Sequence, residues 1–397
     1  MSPRTRTSIK RSREAAGLTT TAADADEPSA KVQKVSAEPE LKGVDVTASP
    51  RSVKDKIKLK LRTRYTPAYN LRRRRRLASV VRLDWNGMPA SAQQGMRNLT
   101  GVLCYRSALL QSLLHQPQFC LWLTSYHEPQ HCIWAEETPC VACVLRNLAK
   151  AYWSGESVDA AYVAVDKAFK ANNWQNGMGG QQDPEEQLGW LVQKFSEQLP
   201  VAHFAVFESL THFVLDSSTK CIACGHISSK PGDIEGSLAI DLLPRIKGGD
   251  LAAYVQQYLS YNVTDYKCDF CGDKATDKKR SRKIAHSPDF FAVQLKRFDW
   301  QGKKDSYPIP FNRRLDLESV RAPNNETKSK YDLSAVVLHS GTAKGGHYIS
   351  MSRGPDGQWW KFDDRSKLPL TEAAVLASAN KKSGGFTPYL LFYQRVR

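Results

Sequence analysis

Gly345-Gly346-His347-Tyr348, followed by Gln358-Trp359-Trp360-Lys361-Phe362-Asp363-Asp364, is the stretch that decides the fold. A histidine stands beside two glycines, and a pair of carboxylates follows on what reads as the next strand. Positions Val336 and Leu338, Tyr348 and Ser350, Trp360 and Phe362 alternate as strands do. Gly354-Pro355-Asp356-Gly357 between them is a turn signal. His347 and Asp363 are therefore expected to face each other across one hairpin. A histidine oriented by a carboxylate is a general base that needs a nucleophile.

The rest of the chain bounds where that nucleophile can lie. With 397 residues, 41% of them apolar, there is room for one large domain or two ordinary ones. No run of about 18 apolar residues occurs, so no membrane contact is expected. Met1-Ser2-Pro3-Arg4 leads into no apolar segment, so no secretory signal is expected. The net charge of +17 is uneven. Residues 1–83 carry 21 Lys and Arg against 8 Asp and Glu; the remainder carries 36 against 32. The basic character belongs to the leader and says little about the ligand of the body. Nine cysteines without a secretory signal point to reduced thiols, metal sites or a nucleophile, not to disulfides.

Residues 1–83 lack Trp and Phe and show poor apolar periodicity, so they are expected to form a disordered tail. Lys10-Arg11-Ser12-Arg13 and the five arginines Arg72 to Arg76 suit import into the nucleus, with the cytoplasm as a further location. The same clusters would give weak nucleic-acid or importin contacts. Lys54 to Arg64 alternates charged and apolar residues, as a short strand or a segment ordered by a partner would. The body starts near Gly95. Helical periodicity is expected over 104–115, 140–153, 157–170 and 184–199. From about 205 onward short runs of β-branched and aromatic residues alternate between turns. Helices first and strands afterwards argue for an α+β fold.

Cys104 opens the first of those helices. There the helix dipole and free backbone N–H groups favour the thiolate, although a lone cysteine is more often an inert core residue. Its surroundings decide. Gly95 to Leu113 resembles the Cys box of ubiquitin-specific proteases, and Gln181-Gln182-Asp183-Pro184-Glu185-Glu186-Gln187-Leu188 resembles their Gln-Gln-Asp box. Phe290 to Phe298 resembles their Leu-Lys-Arg-Phe strand. His339-Ser340-Gly341, Gly345 to Tyr348, Trp360 to Asp364 and Pro388 to Tyr393 resemble their His box, in the family's order. The resemblance covers residue 95 to the end.

It implies a papain-like cysteine peptidase with thumb, palm and zinc-bearing fingers over residues 84–397: thumb about 95–200, fingers about 205–285, palm about 286–397. It makes Cys104 the nucleophile, His347 the general base and Asp363 the third member of the triad, with Asp364 in support. Gln182, Asp183, Glu186, Gly345, Gly346 and Tyr348 would meet the C-terminal tail of ubiquitin. The expected reaction is hydrolysis of the isopeptide bond after ubiquitin's C-terminal glycine, by a protein acting as a monomer on ubiquitinated proteins. One departure bears on catalysis. The family pattern places an Asn two residues before the cysteine, read as an oxyanion donor; this chain has Val102 and an extra residue between Asn98 and Gly101. A catalytically silent ubiquitin-binding module and a protease for a ubiquitin-like modifier are the alternative expectations.

Cys221-x-x-Cys224 and Cys268-x-x-Cys271, each followed by glycine, form a second constellation. Two such pairs suit tetrahedral zinc, and their separation matches the fingers of the family. Cys140-x-x-Cys143, with His131 and Cys132 upstream, reads as helix-core residues in preference to a second metal site or a redox pair. Cys120 reads as core.

Overall fold

The computed structural model describes residues 71–81, 85, 94–127, 132, 138–174, 180–264, 266–274, 277–380 and 385–396. In chain order the helices are α1 (Leu71–Ser79), α2 (Cys104–Leu114), α3 (Pro117–Tyr126), α4 (Val141–Ser154), α5 (Asp159–Ala171), α6 (Pro184–Gln198), α7 (Val201–Thr211), α8 (Leu251–Leu259) and α9 (Glu372–Ala377). The strands are β1 (Phe213–Cys221), β2 (Ile227–Glu235), β3 (Ser237–Asp241), β4 (Ser260–Val263), β5 (Lys278–His286), β6 (Phe290–Lys296), β7 (Arg314–Asp316), β8 (Lys330–Thr342), β9 (Gly345–Arg353), β10 (Trp359–Asp363), β11 (Ser366–Leu370) and β12 (Thr387–Arg395). Among the described residues no helix is long and apolar enough to cross a membrane.

Two sheets organise the strands. An eight-stranded sheet runs β11-β10-β9-β8-β12-β6-β3, with β7 also on β8; a four-stranded sheet runs β2-β1-β5-β4. The large sheet separates two apolar cores, and its period-two alternation shows which side each residue serves. On β8, Ala335 and Val337 join the core beneath the helices α2 to α7. Val336 and Leu338 join the opposite core with α8, β1 and β3.

α2 lies at the centre of the helical layer, and all eleven of its residues are buried. Such a helix needs partners for its polar side chains. Arg106 pairs with Asp166 of α5 at 2.6 Å, and Ser107 Oγ lies 2.8 Å from Tyr162 Oη. The Gln111 side-chain amide meets Ser350 Oγ of β9 at 3.3 Å, which registers the helix on the sheet.

The four expected helices appear as α2, α4, α5 and α6. Five more were not expected: α1, α8 and α9, together with α3, which Pro117 opens, and α7, which continues to Thr211 where strands were expected from about 205. α7 is apolar nearly all round, so it shows neither periodicity clearly. The leader also differs from expectation. Lys10 to Arg13 and Lys54 to Arg64 lie outside the described residues. Arg72 to Arg76, expected within a disordered tail, stand on α1, which packs against α7. Arg74 is buried and its guanidinium binds Glu208 at 2.6 Å. The run alternates between a buried face, with Arg74 and Ala78, and exposed Arg72, Arg73 and Arg76.

Candidate active site

Cys104 is the first residue of α2. Gly101, at φ +77°, turns the chain into the helix, and Leu103 caps it without a side-chain hydrogen bond. The free N–H groups of the first turn and the positive end of the dipole therefore face the thiol. Cys104 is 1% exposed.

Three connections hold this helix end against the far end of the chain. Met96 donates its backbone N–H to Asp364 O at 2.9 Å. Asn98 accepts from the Leu103 N–H at 3.0 Å and donates Nδ2–H to Asp364 Oδ2 at 3.3 Å. Gly95 lies so close to the Asp364–Arg365 backbone that a Cβ there would sit 2.3 Å from it, so only glycine fits. Asp364 is held at φ +49°. Burial pushes its carboxyl up, against the hydrogen bond from Asn98.

His347 lies near the start of β9 and Asp363 at the end of β10, across the hairpin expected from the sequence. The β9–β10 ladder runs from Trp359 opposite Arg353 to Phe362 opposite Ser350, and Gly354 accepts Gly357 N–H in the turn. Beyond the ladder, His347 Nε2 meets Asp363 Oδ1 at 2.7 Å. This leaves Nδ1 of the imidazole for the thiol. The hydrogen bond to Cys104, then that to Asp363, outweigh burial and raise His347 to about 9. Burial alone would push Asp363 up, but hydrogen bonds from His347 and Lys361 hold it below the ordinary carboxylate value. Lys361 Nζ lies 3.1 Å from Asp363 Oδ2. Thiol, imidazole and carboxylate thus form a chain suited to nucleophilic acyl transfer.

The residues expected along the substrate groove divide. An amide that the sequence reading did not single out reaches the thiol: Gln181 Nε2 lies 2.7 Å from Cys104 Sγ and 2.8 Å from Gly346 O. Asp183 caps α6 through Glu185 N–H at 2.7 Å and accepts from Tyr389 Oη; burial raises its carboxyl. Glu186 is exposed on the first turn of the same helix. Gly345 borders open space. Gly346 does not: a Cβ there would meet Ser340 O at 2.2 Å and His339 Nε2 at 2.4 Å, so β8 itself demands the glycine. Tyr348 departs from expectation. Next to His347 on a strand, it points to the other side and is buried between His339 and Tyr389, with ring centroids 4.4 and 5.9 Å away. It packs against these rings. Arg297 is 1% exposed and donates to Asp305 O and Tyr307 O, both at 3.0 Å, pinning the loop after β6. Val102, where the pattern has Asn, is half-buried against the helical core.

Among the described residues, two groups of side chains could hold a metal. In the first, Cys221, Cys224, Cys268 and Cys271 converge at the tip of the four-stranded sheet, with all sulfurs within 4.8 Å of one another. Cys221 and Cys271 sulfurs are 3.9 Å apart, and Cys224 and Cys268 3.8 Å. Zinc–sulfur bonds of about 2.3 Å in a tetrahedron set that edge at about 3.8 Å. The two halves have the same backbone: Gly225 and Gly272, at φ +77° and +72°, donate to Cys221 O and Cys268 O at 2.9 Å. The four thiols thus fit zinc. The second group contains Cys140 and Cys143. Cys120 is core as expected, giving its S–H to Leu114 O, and burial pushes its thiol up to about 12.

The family described as "Ubiquitin carboxyl-terminal hydrolase" matches residues 94–393. Among curated relatives, Ubiquitin carboxyl-terminal hydrolase 17 of Arabidopsis thaliana is 30% identical over 323 residues, covering 76% of this chain and 42% of the relative. Ubiquitin carboxyl-terminal hydrolase 36 of Drosophila erecta is 26% identical over 339 residues, covering 79% and 30%. The chain thus spans less than half the length of these relatives. Among solved structures, the SAGA DUB module containing Ubp8, bound to monoubiquitin, superposes with a TM-score of 0.66 at 22% identity, covering 78% of this chain and 70% of that one. A second structure of the module, bound to ubiquitin aldehyde, gives 0.65 at 22% identity, over 79% and 71%. These likenesses establish the fold expected from the sequence.

Proposed function

The chain belongs to the ubiquitin carboxyl-terminal hydrolase family, and on that footing we propose that it is a deubiquitinating cysteine protease with Cys104, His347 and Asp363 as its triad. The observation that supports the reading is the His347 Nε2–Asp363 Oδ1 contact at 2.7 Å, with His347 raised to about 9, first by Cys104, and Asp363 held below the ordinary carboxylate value. His347 takes the proton of Cys104, and the thiolate attacks the carbonyl carbon of ubiquitin's C-terminal glycine. The tetrahedral intermediate collapses as His347 protonates the departing lysine amine. Water, deprotonated by His347, then releases ubiquitin from the thioester.

The oxyanion needs donors at the N-terminus of α2. The Cys104 N–H supplies one. Asn98 supplies the second: its carbonyl is anchored by Leu103 N–H and one amide hydrogen by Asp364, which leaves the other hydrogen free to donate. The extra residue after Asn98 therefore does not displace the amide from the helix end, and Val102 need not perform this role. Gln181 bridges the groove and yields its bond to Gly346 O when the extended tail of ubiquitin enters beside Gly345, with Asp183 and Glu186 flanking the basic residues of that tail.

The test is reaction with ubiquitin carrying a C-terminal electrophile, beside SUMO and NEDD8 equivalents. A covalent adduct with ubiquitin is expected at Cys104. Binding of ubiquitin without adduct would point to a silent module; preferential labelling by another modifier would reassign the substrate.

Zinc at Cys221, Cys224, Cys268 and Cys271 would be structural, since four protein ligands leave no open position. Cys224→Ser is expected to lose one zinc equivalent by elemental analysis. It should also speed proteolysis between residues 221 and 271 on the order of tenfold, the effect of about 1.4 kcal/mol of local stability. An unchanged metal content would reject the site. For the nuclear reading, α1 places Arg74 in the body, so import would rest on Lys10 to Arg13 and the exposed arginines of α1. Unaltered localisation after deleting residues 1–70 would exclude the first of these.

A further inference from the structure

We propose that His127, Cys132, Cys140 and Cys143 form a second tetrahedral zinc site, within the helical layer. It stands independently of the hydrolase reading, because it concerns a metal and its ligands only. Their ligand atoms lie within 4.8 Å of one another, as the four thiols at the tip of the small sheet do. His127 Nε2 is 3.0 Å from Cys143 Sγ and 3.3 Å from Cys140 Sγ. Three thiols and one imidazole are a donor set that zinc favours, with bonds of about 2.3 and 2.0–2.1 Å.

The positions of the four residues support a metal over a chance meeting of core thiols. His127 follows the last residue of α3, and Cys140 caps α4. Cys143 lies on the first turn of α4, and Cys132 is carried by the connection between the two helices. The site therefore joins the end of one helix to the start of the next. Cys140 makes no side-chain capping bond to α4, so a cluster of thiolates would meet that helix's positive end. A zinc ion with three thiolates and a neutral imidazole carries a net charge of −1. Arg146, one turn along α4 from Cys143, donates to Thr124 O of α3 at 3.4 Å and keeps Nε buried without a partner among the described residues. It supplies positive charge on that side. An isolated core thiol behaves differently in this protein: Cys120 gives its proton to a single carbonyl.

The site also has something to hold. Tyr152 and Trp153, on the last turns of α4, reach His115 and Leu114 O at the end of α2, at 3.0 and 3.2 Å. Fixing the start of α4 thereby steadies the helix that carries Cys104. The linear signal, His-x4-Cys-x7-Cys-x2-Cys, was readable only in part. His131 drew attention beside Cys132, but it lies outside the described residues, and the converging imidazole is that of His127.

Native mass spectrometry of the zinc-purified chain tests the proposal. Two ions per chain are expected, falling by one in Cys143→Ser and, separately, by one in Cys224→Ser. With Cys224→Ser loaded with cobalt, the remaining ion should show thiolate-to-metal charge transfer and imidazole coordination, in place of an all-sulfur site. A wild-type count unaffected by Cys143→Ser would overturn the proposal, as would a disulfide among Cys132, Cys140 and Cys143 in non-reducing peptide maps. Should Cys143→Ser fail to fold, zinc-edge absorption on the wild type decides: nitrogen in the averaged first shell supports the site, and sulfur alone rejects it.

Discussion

His347→Ala is expected to lower turnover of a ubiquitin-derived substrate by about 10⁴-fold while ubiquitin binding changes little. Cys104 is almost wholly covered, and its principal ionisable contact is the imidazole that also reaches Asp363. Without it the thiol loses both its proton acceptor and the cation that stabilises its charged form. The pH profile carries the same information. His347 is raised from its ordinary 6.5 to about 9, first by its bond to Cys104. The imidazolium therefore persists through neutral pH and discharges only as pH rises through about 9. Any stability gained from this pairing is complete below the ordinary value and disappears over that upper range. The rate of labelling by a ubiquitin electrophile should fall on the same alkaline limb. Asp363→Asn removes a charged partner, so the limb should move to lower pH. A limb left in place would remove Asp363 from the triad.

Asn98→Ala is the second large effect. Removing one oxyanion donor costs about 10²–10³ in turnover, and the loss should appear in kcat with KM nearly unchanged, because the interaction forms only in the transition state. Asn98 also accepts from Leu103 N–H, so Ala could loosen the start of α2. Asn98→Asp keeps an acceptor for Leu103 N–H but donates nothing to an oxyanion, and it also gives up the bond to Asp364. If Asn98→Asp retains near-normal kcat, the donor must be sought elsewhere. Val102→Asn should add little, because position 102 is spent on packing against the helical core.

Much of this was legible in the sequence. The four runs with helical periodicity became helices, and the turn at Gly354 to Gly357 set the His347–Asp363 pair across its hairpin. What escaped has identifiable causes. Gln181 and Gln182 are chemically identical neighbours, and only the entry of the chain into α6 decides which amide faces the thiol. Tyr348 adjoins His347, but strand pleat turns it inward. Asn98 was hidden by the extra residue after it. The cysteines of α4 resembled helix-core thiols because their imidazole partner comes from the end of a different helix. The arginines of α1 were expected in a disordered tail, since pattern alone cannot reveal that Glu208 pairs with one of them.

The place of β12 in the large sheet has a consequence for biosynthesis. β12 is the last described strand along the chain, yet it lies between β8 and β6, hydrogen-bonded to both. Until residues 387–395 have left the ribosome, β6 and β8 are two open edges with nothing between them, and the hairpin bearing His347 has no continuous sheet behind it. A nascent chain of this protein therefore carries its thiol without the support of its base. It passes through a stage in which unpaired strands invite association with other chains or with chaperones. The hairpin bearing His347 would gain its support in one step, when the central strand slots into place.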